Sequence, residues 1–260
     1  MYKNKVRIIS RLEVKGLNVV KGIQMEGLRV IGKPEDLSDN YFKQGIDEII
    51  FSDIVASLYN RNHLSELVNT VAKKIFIPLC VGGGIREIDD IRNLLRSGAD
   101  KISINTEATK SPSLIEAAAK TYGSQCIVSS IHAKKIAEGK WEPYIENGRE
   151  RTHLDVVDWA KRLESLGTGE IMLISVDKDG TRKGFDIDLI KSVSDSVSIP
   201  IIACGGAGSL EHIEELFQKT NISAVALSNI LHFNKFNVSS IKEHLNSKNV
   251  LTRKNWTQIG

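Results

Sequence analysis

The sequence predicts an α/β protein of the (β/α)8 class, a TIM barrel built as a twofold internal repeat of half-barrels, and three observations lead there. Eight short β-rich runs alternate with longer amphipathic stretches, the pattern of βα units joined into a parallel sheet. The second half of the chain resembles the first at a nearly fixed spacing. The length of 260 residues suits one such barrel, so a single domain over residues 1–260 is expected, with half-barrels at about 1–123 and 124–248.

The eight strands are expected at residues 6–12, 48–52, 77–81, 101–104, 125–131, 170–175, 199–203 and 224–227. Helix starts separate them: Pro34 with Glu35 and Asp36 in a first turn, Ser111 before Pro112, and Ser209 with Glu211 close behind. The repeat is read by laying Gly82 on Gly205, a shift of 123 that also carries Asn105 onto Ser228. Two stretches break the alternation. Residues 133–152 are polar, with Gly139, Pro143 and Gly148, and are expected to form an inserted loop or small hairpin after the fifth strand. Beyond Leu245 the tail is polar and expected to be loose apart from Trp256.

Composition narrows the class. Hydrophobic residues at 41% and charged residues at 26% suit a globular chain with a large core. The net charge of +3 is spread along the chain, which gives no sign of a nucleic-acid partner. Cys80, Cys126 and Cys204 lie in or beside apolar runs, without metal-ligand spacing, and are expected to be reduced core thiols. No metal or cofactor is expected. Residues 1–12 are too poor in apolar content for a signal peptide, and no apolar run nears the roughly 20 residues of a membrane span, so a cytoplasmic protein is expected.

Each half ends a buried strand in glycines, Gly82-Gly83-Gly84 and Gly205-Gly206-Ala207-Gly208, where backbone N–H groups can approach an anion and a helix N-terminus follows. Each half then offers a small polar strand end, Asn105-Thr106 or Ser228-Asn229. With Asp179-Gly180, these predict sites for a ligand carrying two phosphates. The plainer reading of each loop is a tight βα turn. Asp53 after strand two and Asp177 after strand six stand where barrel enzymes place catalytic groups, although either could simply cap a helix. Arg7, Glu48, Lys101 and Glu170 open strands one, two, four and six and would form a neutral ring across the opposite mouth, with Asp100 on the same face.

These residues, with Val19-Val20-Lys21-Gly22, Phe51 through Ser57 and Gly98 through Asn105, resemble the cyclase subunit of imidazole glycerol phosphate synthase, the HisF family, over nearly the whole chain. The resemblance implies a barrel that docks a glutaminase subunit on its N-terminal face, receives ammonia through its centre and uses it at the top. The family's reaction, a lyase-type cyclisation, converts a bisphosphorylated ribonucleotide into imidazole glycerol phosphate and an aminoimidazole carboxamide ribotide. Arg7, Glu48, Lys101 and Glu170 fall on the family's ammonia gate, and Asp100 falls on its glutaminase contact.

The chain departs from the family at the catalytic pair, where two aspartates are replaced by Glu13 and His132. Lys15-Gly16-Leu17-Asn18 likewise stands where the family usually has Lys-Asp-Gly-Arg. The extra methylene of Glu13 moves a carboxylate by about 1.5 Å, whereas catalytic groups need placement within about 0.5 Å. His132 can move protons but supplies no fixed negative charge. The expectation is therefore a barrel that conducts ammonia with cyclase chemistry weakened or lost; the resemblance extends to paralogues of the family and through them implies service to a separate sugar amidotransferase forming an amidino sugar in surface-polysaccharide synthesis. The alternative is a working cyclase in histidine biosynthesis, with Glu13 and His132 sharing the acid and base roles. A sugar-phosphate isomerase ranks third, because it leaves the gate unexplained.

Overall fold

The computed structural model describes residues 5–56 and 64–254. Ser57 of the second-strand motif and Trp256 of the tail lie outside the described residues. The chain forms β1 (Arg7–Lys15), β2 (Asn18–Ile23), β3 (Glu26–Gly32), α1 (Pro34–Lys43), β4 (Glu48–Asp53), α2 (Leu64–Ala72), β5 (Leu79–Gly82), α3 (Ile88–Arg96) and β6 (Lys101–Ile104). The second half continues with α4 (Thr106–Lys110), α5 (Ser113–Tyr122), β7 (Ile127–Ala137), β8 (Lys140–Ile145), β9 (Glu150–Arg151), α6 (Val156–Ser165), β10 (Glu170–Ser175) and α7 (Ile187–Ser194). It ends with β11 (Ile201–Cys204), α8 (Leu210–Lys219), β12 (Ala224–Leu227), α9 (Asn229–His232) and α10 (Val238–Ser247).

Eight parallel strands close into a barrel in the order β1-β4-β5-β6-β7-β10-β11-β12, with β12 returning to β1. Two apolar layers hold it. Ile8, Leu12, Phe51 and Leu173 face the helices, whereas Ile9, Ile50, Val128, Met172 and Ile202 fill the barrel interior with Cys80 and Cys204. Cys126 is only half-buried, in a short turn before β7. Strands five and eleven begin one residue after Pro78 and Pro200, which lack an N–H to donate to the ladder. Each proline carbonyl still accepts a ladder bond, from the N–H of Ile49 and Ile171 respectively.

Register fixes the repeat. Glu13 pairs with Ser52 and His132 with Ile174, so these two positions are equivalent. Gly82 also pairs with Ser52, and Cys204 with Ile174, so Gly82 corresponds to Cys204 and Gly83 to Gly205. The shift of 123 laid on the glycine loops from sequence is thus one residue too long there. It holds at the next strand end, where Asn105 (φ −118°, ψ −78°) and Ser228 (φ −127°, ψ −80°) share one backbone conformation.

Each half extends its first strand into an antiparallel hairpin over the top of the barrel. β7 to β9 is the hairpin expected within residues 133–152. The equivalent hairpin of β1, β2 and β3 was not foreseen. The tail expected to be loose is tied down as far as Thr252: Val6 N–H donates to Leu251 O, Thr252 bridges Val6, and Asn246 holds Thr252 through side chain and backbone. Buried Val250 supplies the apolar anchor that composition alone concealed.

Candidate active site

At the N-terminal mouth the four predicted charges form a closed ring. Lys101 Nζ donates to both Glu48 and Glu170 at 3.0 Å, Arg7 donates to Glu48 at 2.8 Å, and Arg7 also pairs with Glu170. Two cations and two anions alternate, so burial of each charge is offset by two partners. Burial lowers the Lys101 ammonium's pKa, but Glu48 and Glu170 outweigh it and hold it above its ordinary value. Asp100 stands exposed on the same face, where its carboxylate accepts from Leu79 N–H at 2.8 Å.

At the opposite mouth lies a cavity of about 240 Å³ lined by Asp53, Gly82, Gly83, Gly84, Asn105, Thr106 and His132, with Arg11, Ser130 and Lys110. Gly83 takes φ +112°, and an added Cβ there would fall 2.4 Å from Asp53 O, so both the backbone angle and the close approach call for glycine. Asp53 Oδ1 accepts from the N–H groups of Val55 and Ala56, so this carboxylate shapes the loop after β4 while lining the cavity. Asn105 Nδ2 donates to Ser130 O, fixing the strand end against β7.

The helix after the first glycine loop does not present a free N-terminus. Asp90 accepts from the N–H groups of Arg86 and Glu87, and Glu87 closes a capping box at α3. Acidic side chains thus occupy the end expected to attract an anion. In the second half, Gly205, Gly206 and Gly208 are buried rather than half-open. An added Cβ at Gly206 or Gly208 would meet Gly184 O or Arg182 O at 2.1 Å, so residues 182–184 lie close over this loop. Ser228 turns its hydroxyl to Arg11 O at 2.8 Å.

Three predicted residues lie outside the cavity lining. Asp179, read with the phosphate-binding set, is 2% exposed and accepts from Lys21 Nζ at 2.7 Å. Gly180 lies under the first hairpin, where an added Cβ would sit 2.4 Å from Gly22 O. Asp179 also lies against the second glycine loop, where an added Cβ at Gly205 would come 3.4 Å from its backbone N, and the unforeseen hairpin covers this end of the strand. Asp177 points to the β7–β8 hairpin, its carboxylate accepting from Lys135 N–H at 2.8 Å, away from Glu13 and His132.

Glu13 belongs to a buried cluster with Lys21, Arg11 and Asp179. Its carboxylate lies 2.8 Å from Lys21 Nζ and 2.9 Å from Arg11 Nη1. Burial alone pushes the Glu13 carboxyl up, but Lys21 and then Arg11 outweigh it and bring it down to about 2. For Asp179, burial wins and raises it. Burial, and then the Arg11 charge, push His132 down to about 3. Near neutrality the equivalent pair is thus a fixed carboxylate and an uncharged imidazole. Arg11 and Lys21 were missed as site residues; their burial becomes visible only once the hairpin folds over.

Among the described residues no group of three or more His, Cys, Asp or Glu is arranged to hold a metal ion, and no helix is long and apolar enough to cross a membrane. Comparison with known proteins places the chain. Residues 7–237 match the family described as histidine biosynthesis protein. The imidazole glycerol phosphate synthase subunit HisF of Legionella pneumophila is 57% identical over 208 residues, 80% of this chain and 98% of that protein. The subunit of the same name from Bacillus cereus (strain G9842) is 48% identical over 247 residues, 95% of this chain and 98% of that protein. The chain belongs to the histidine biosynthesis protein family, within its HisF branch.

Proposed function

We propose that this chain is the cyclase-type barrel subunit of an imidazole glycerol phosphate synthase, taking ammonia from a glutaminase subunit docked on its N-terminal face and using it on a phosphorylated ligand in the upper cavity. The observation that carries this reading is the axial order of the molecule. The ring of Arg7, Glu48, Lys101 and Glu170 lies at one mouth, the cavity of Asp53, Gly83, Asn105 and His132 lies at the other, and apolar side chains lie between. Such a lining favours passage of a neutral molecule such as ammonia over an ion, because transfer of a charge into it is costly. The name carried by relatives at 48% and 57% identity supports the same reading. Exposed Asp100 beside the ring supports a protein contact on that face.

In this reading Asp53, Glu13 and His132 surround the reacting part of the ligand, while Gly83, Gly84, Asn105 and Thr106 hold a phosphate. His132, uncharged near neutrality, takes the proton-accepting role. The electrostatics of the pair favour a second reading. With Glu13 at about 2 and His132 at about 3, neither group retains a proton to donate near pH 7. That supports a barrel with weakened cyclase chemistry that passes ammonia to a separate sugar amidotransferase. An ammonia-supplied cyclase assay on the chain beside its Glu13→Asp/His132→Asp double variant separates the two. Comparable turnover in both supports the cyclase; turnover in the double variant alone supports the conduit.

A further inference from the structure

Besides Oδ1 of half-buried Asn105, three polar atoms of buried cavity-lining residues have no hydrogen-bond partner among the described residues: Arg11 Nε, Ser130 Oγ and His132 Nδ1. Their residues are 1%, 6% and 8% exposed, and no protein group satisfies these atoms. Buried polar groups are rarely left so, and three around one cavity mark a seat for something polar. Ser130 and His132 stand two residues apart on β7 and therefore share its inward face.

Arg11 sets what that something is. Its Nη1 lies 2.9 Å from Glu13 and 3.9 Å from Cys204 Sγ, and its carbonyl accepts from Ser228 and His232. Both ends of the residue are thus held, and because the guanidinium is planar, an anchored Nη1 also fixes the direction of Nε–H. A hydroxyl and a neutral imidazole can each donate or accept. Nε–H can only donate, so the atom it meets must be an acceptor.

We propose that Arg11 is a specificity-determining residue: its Nε–H, with the Ser130 hydroxyl and His132 Nδ1, seats a hydroxyl or carbonyl oxygen of a sugar phosphate whose phosphate lies against Gly83 and Gly84. This rests on the reading of the upper cavity as a site for a phosphorylated ligand. The buried ion pair with Glu13 is the means by which the donor is aimed. It also explains a charged side chain kept at this depth, where an apolar residue would fill space at less desolvation cost.

Calorimetric titration with two probes, inorganic phosphate and ribose 5-phosphate, tests it. The wild-type chain is expected to bind ribose 5-phosphate at least about tenfold more tightly than inorganic phosphate, the preference one charge-assisted hydrogen bond supplies. Arg11→Lys keeps a cation beside Glu13 but removes Nε–H, and is expected to narrow that preference to about threefold or less while leaving phosphate affinity in place. Ser130→Ala, which leaves the ion pairs intact, should narrow it as well. The Arg11 Nε–H resonance of the wild type should move on adding ribose 5-phosphate and stay on adding inorganic phosphate, a readout that needs no variant to fold. Phosphate binding without a preference for the sugar, or a preference kept in full by both variants, overturns the role of Arg11 alone. Failure of the wild type to bind either probe overturns the phosphate reading of the cavity, and this assignment with it.

Discussion

Glu13 and His132 occupy the same barrel position in the two halves, Glu13 opposite Ser52 on β4 and His132 opposite Ile174 on β10. The halves treat that position differently. On β1, Arg11 and Lys21 flank the side chain and fix a negative charge; on β7, the equivalent of Arg11 is Ser130, and the side chain is left uncharged. A symmetric scaffold thus carries an asymmetric pair, and the difference can be measured through stability as well as turnover.

His132 sits at about 3 in the folded chain, pushed down by burial and then by Arg11, against about 6.5 for an unfolded histidine. Between those values the unfolded chain binds the extra proton, so stability rises with pH and is lost on acidification. His132→Asn removes that contribution. Between pH 6 and 5, its unfolding free energy should fall less steeply than the wild type's, by roughly 1 kcal/mol per pH unit. Parallel slopes in urea titrations would contradict the assignment.

Glu13 is the anion shared by Arg11 and Lys21. Glu13→Gln leaves two buried cations facing Asp179 alone, and breaking a buried pair from one side costs about 3–5 kcal/mol. Glu13→Asp keeps the charge and should cost less than half as much. Denaturant midpoints measure both, and equal losses would mean that packing rather than charge holds the position.

The first glycine loop gives a paired test. At Gly83, alanine would need a left-handed backbone and would place Cβ 2.4 Å from Asp53 O. At Gly16, φ is +60° but no atom lies within 4 Å. Gly16→Ala should cost about 1 kcal/mol, the backbone term alone. Gly83→Ala should cost more than about twice that, shift the Asp53 loop and weaken phosphate binding. Similar midpoints and unchanged phosphate affinity would show that the close approach to Asp53 is dispensable.

The barrel was legible because its signals are local. β-rich runs, the prolines before β5 and β11, and the glycines after them all lie within a few residues of what they determine. The ring was legible too, since a charge opening a barrel strand has one end of the barrel to occupy. The buried cluster was not. Lys21 and Asp179 meet across 158 positions, and Asp179-Gly180 reads locally as an open turn until the β2–β3 hairpin covers it. Residues 182–184 likewise close over the second glycine loop, a contact that neither glycine run encodes. The unsatisfied Nε of Arg11 is a property of three-dimensional packing, invisible in a strand that reads as one more β run.

Lys101 tests the other mouth. It is the cation that joins Glu48 to Glu170, at 3.0 Å from each, and its ammonium is held above its ordinary pKa because those two anions outweigh its burial. Without it, two glutamates share Arg7 alone, and their repulsion opens the ring or draws a proton onto one of them. In the proposed complex with a glutaminase subunit, Lys101→Ala should therefore lower the ratio of glutamine-dependent to ammonia-supplied turnover several-fold. Lys101→Met, which restores stem volume without charge, should lower it equally if charge governs the mouth and recover it if bulk does. A ratio unchanged in both variants would leave the ring a structural brace, stabilising the bottom of the barrel without governing what passes through it.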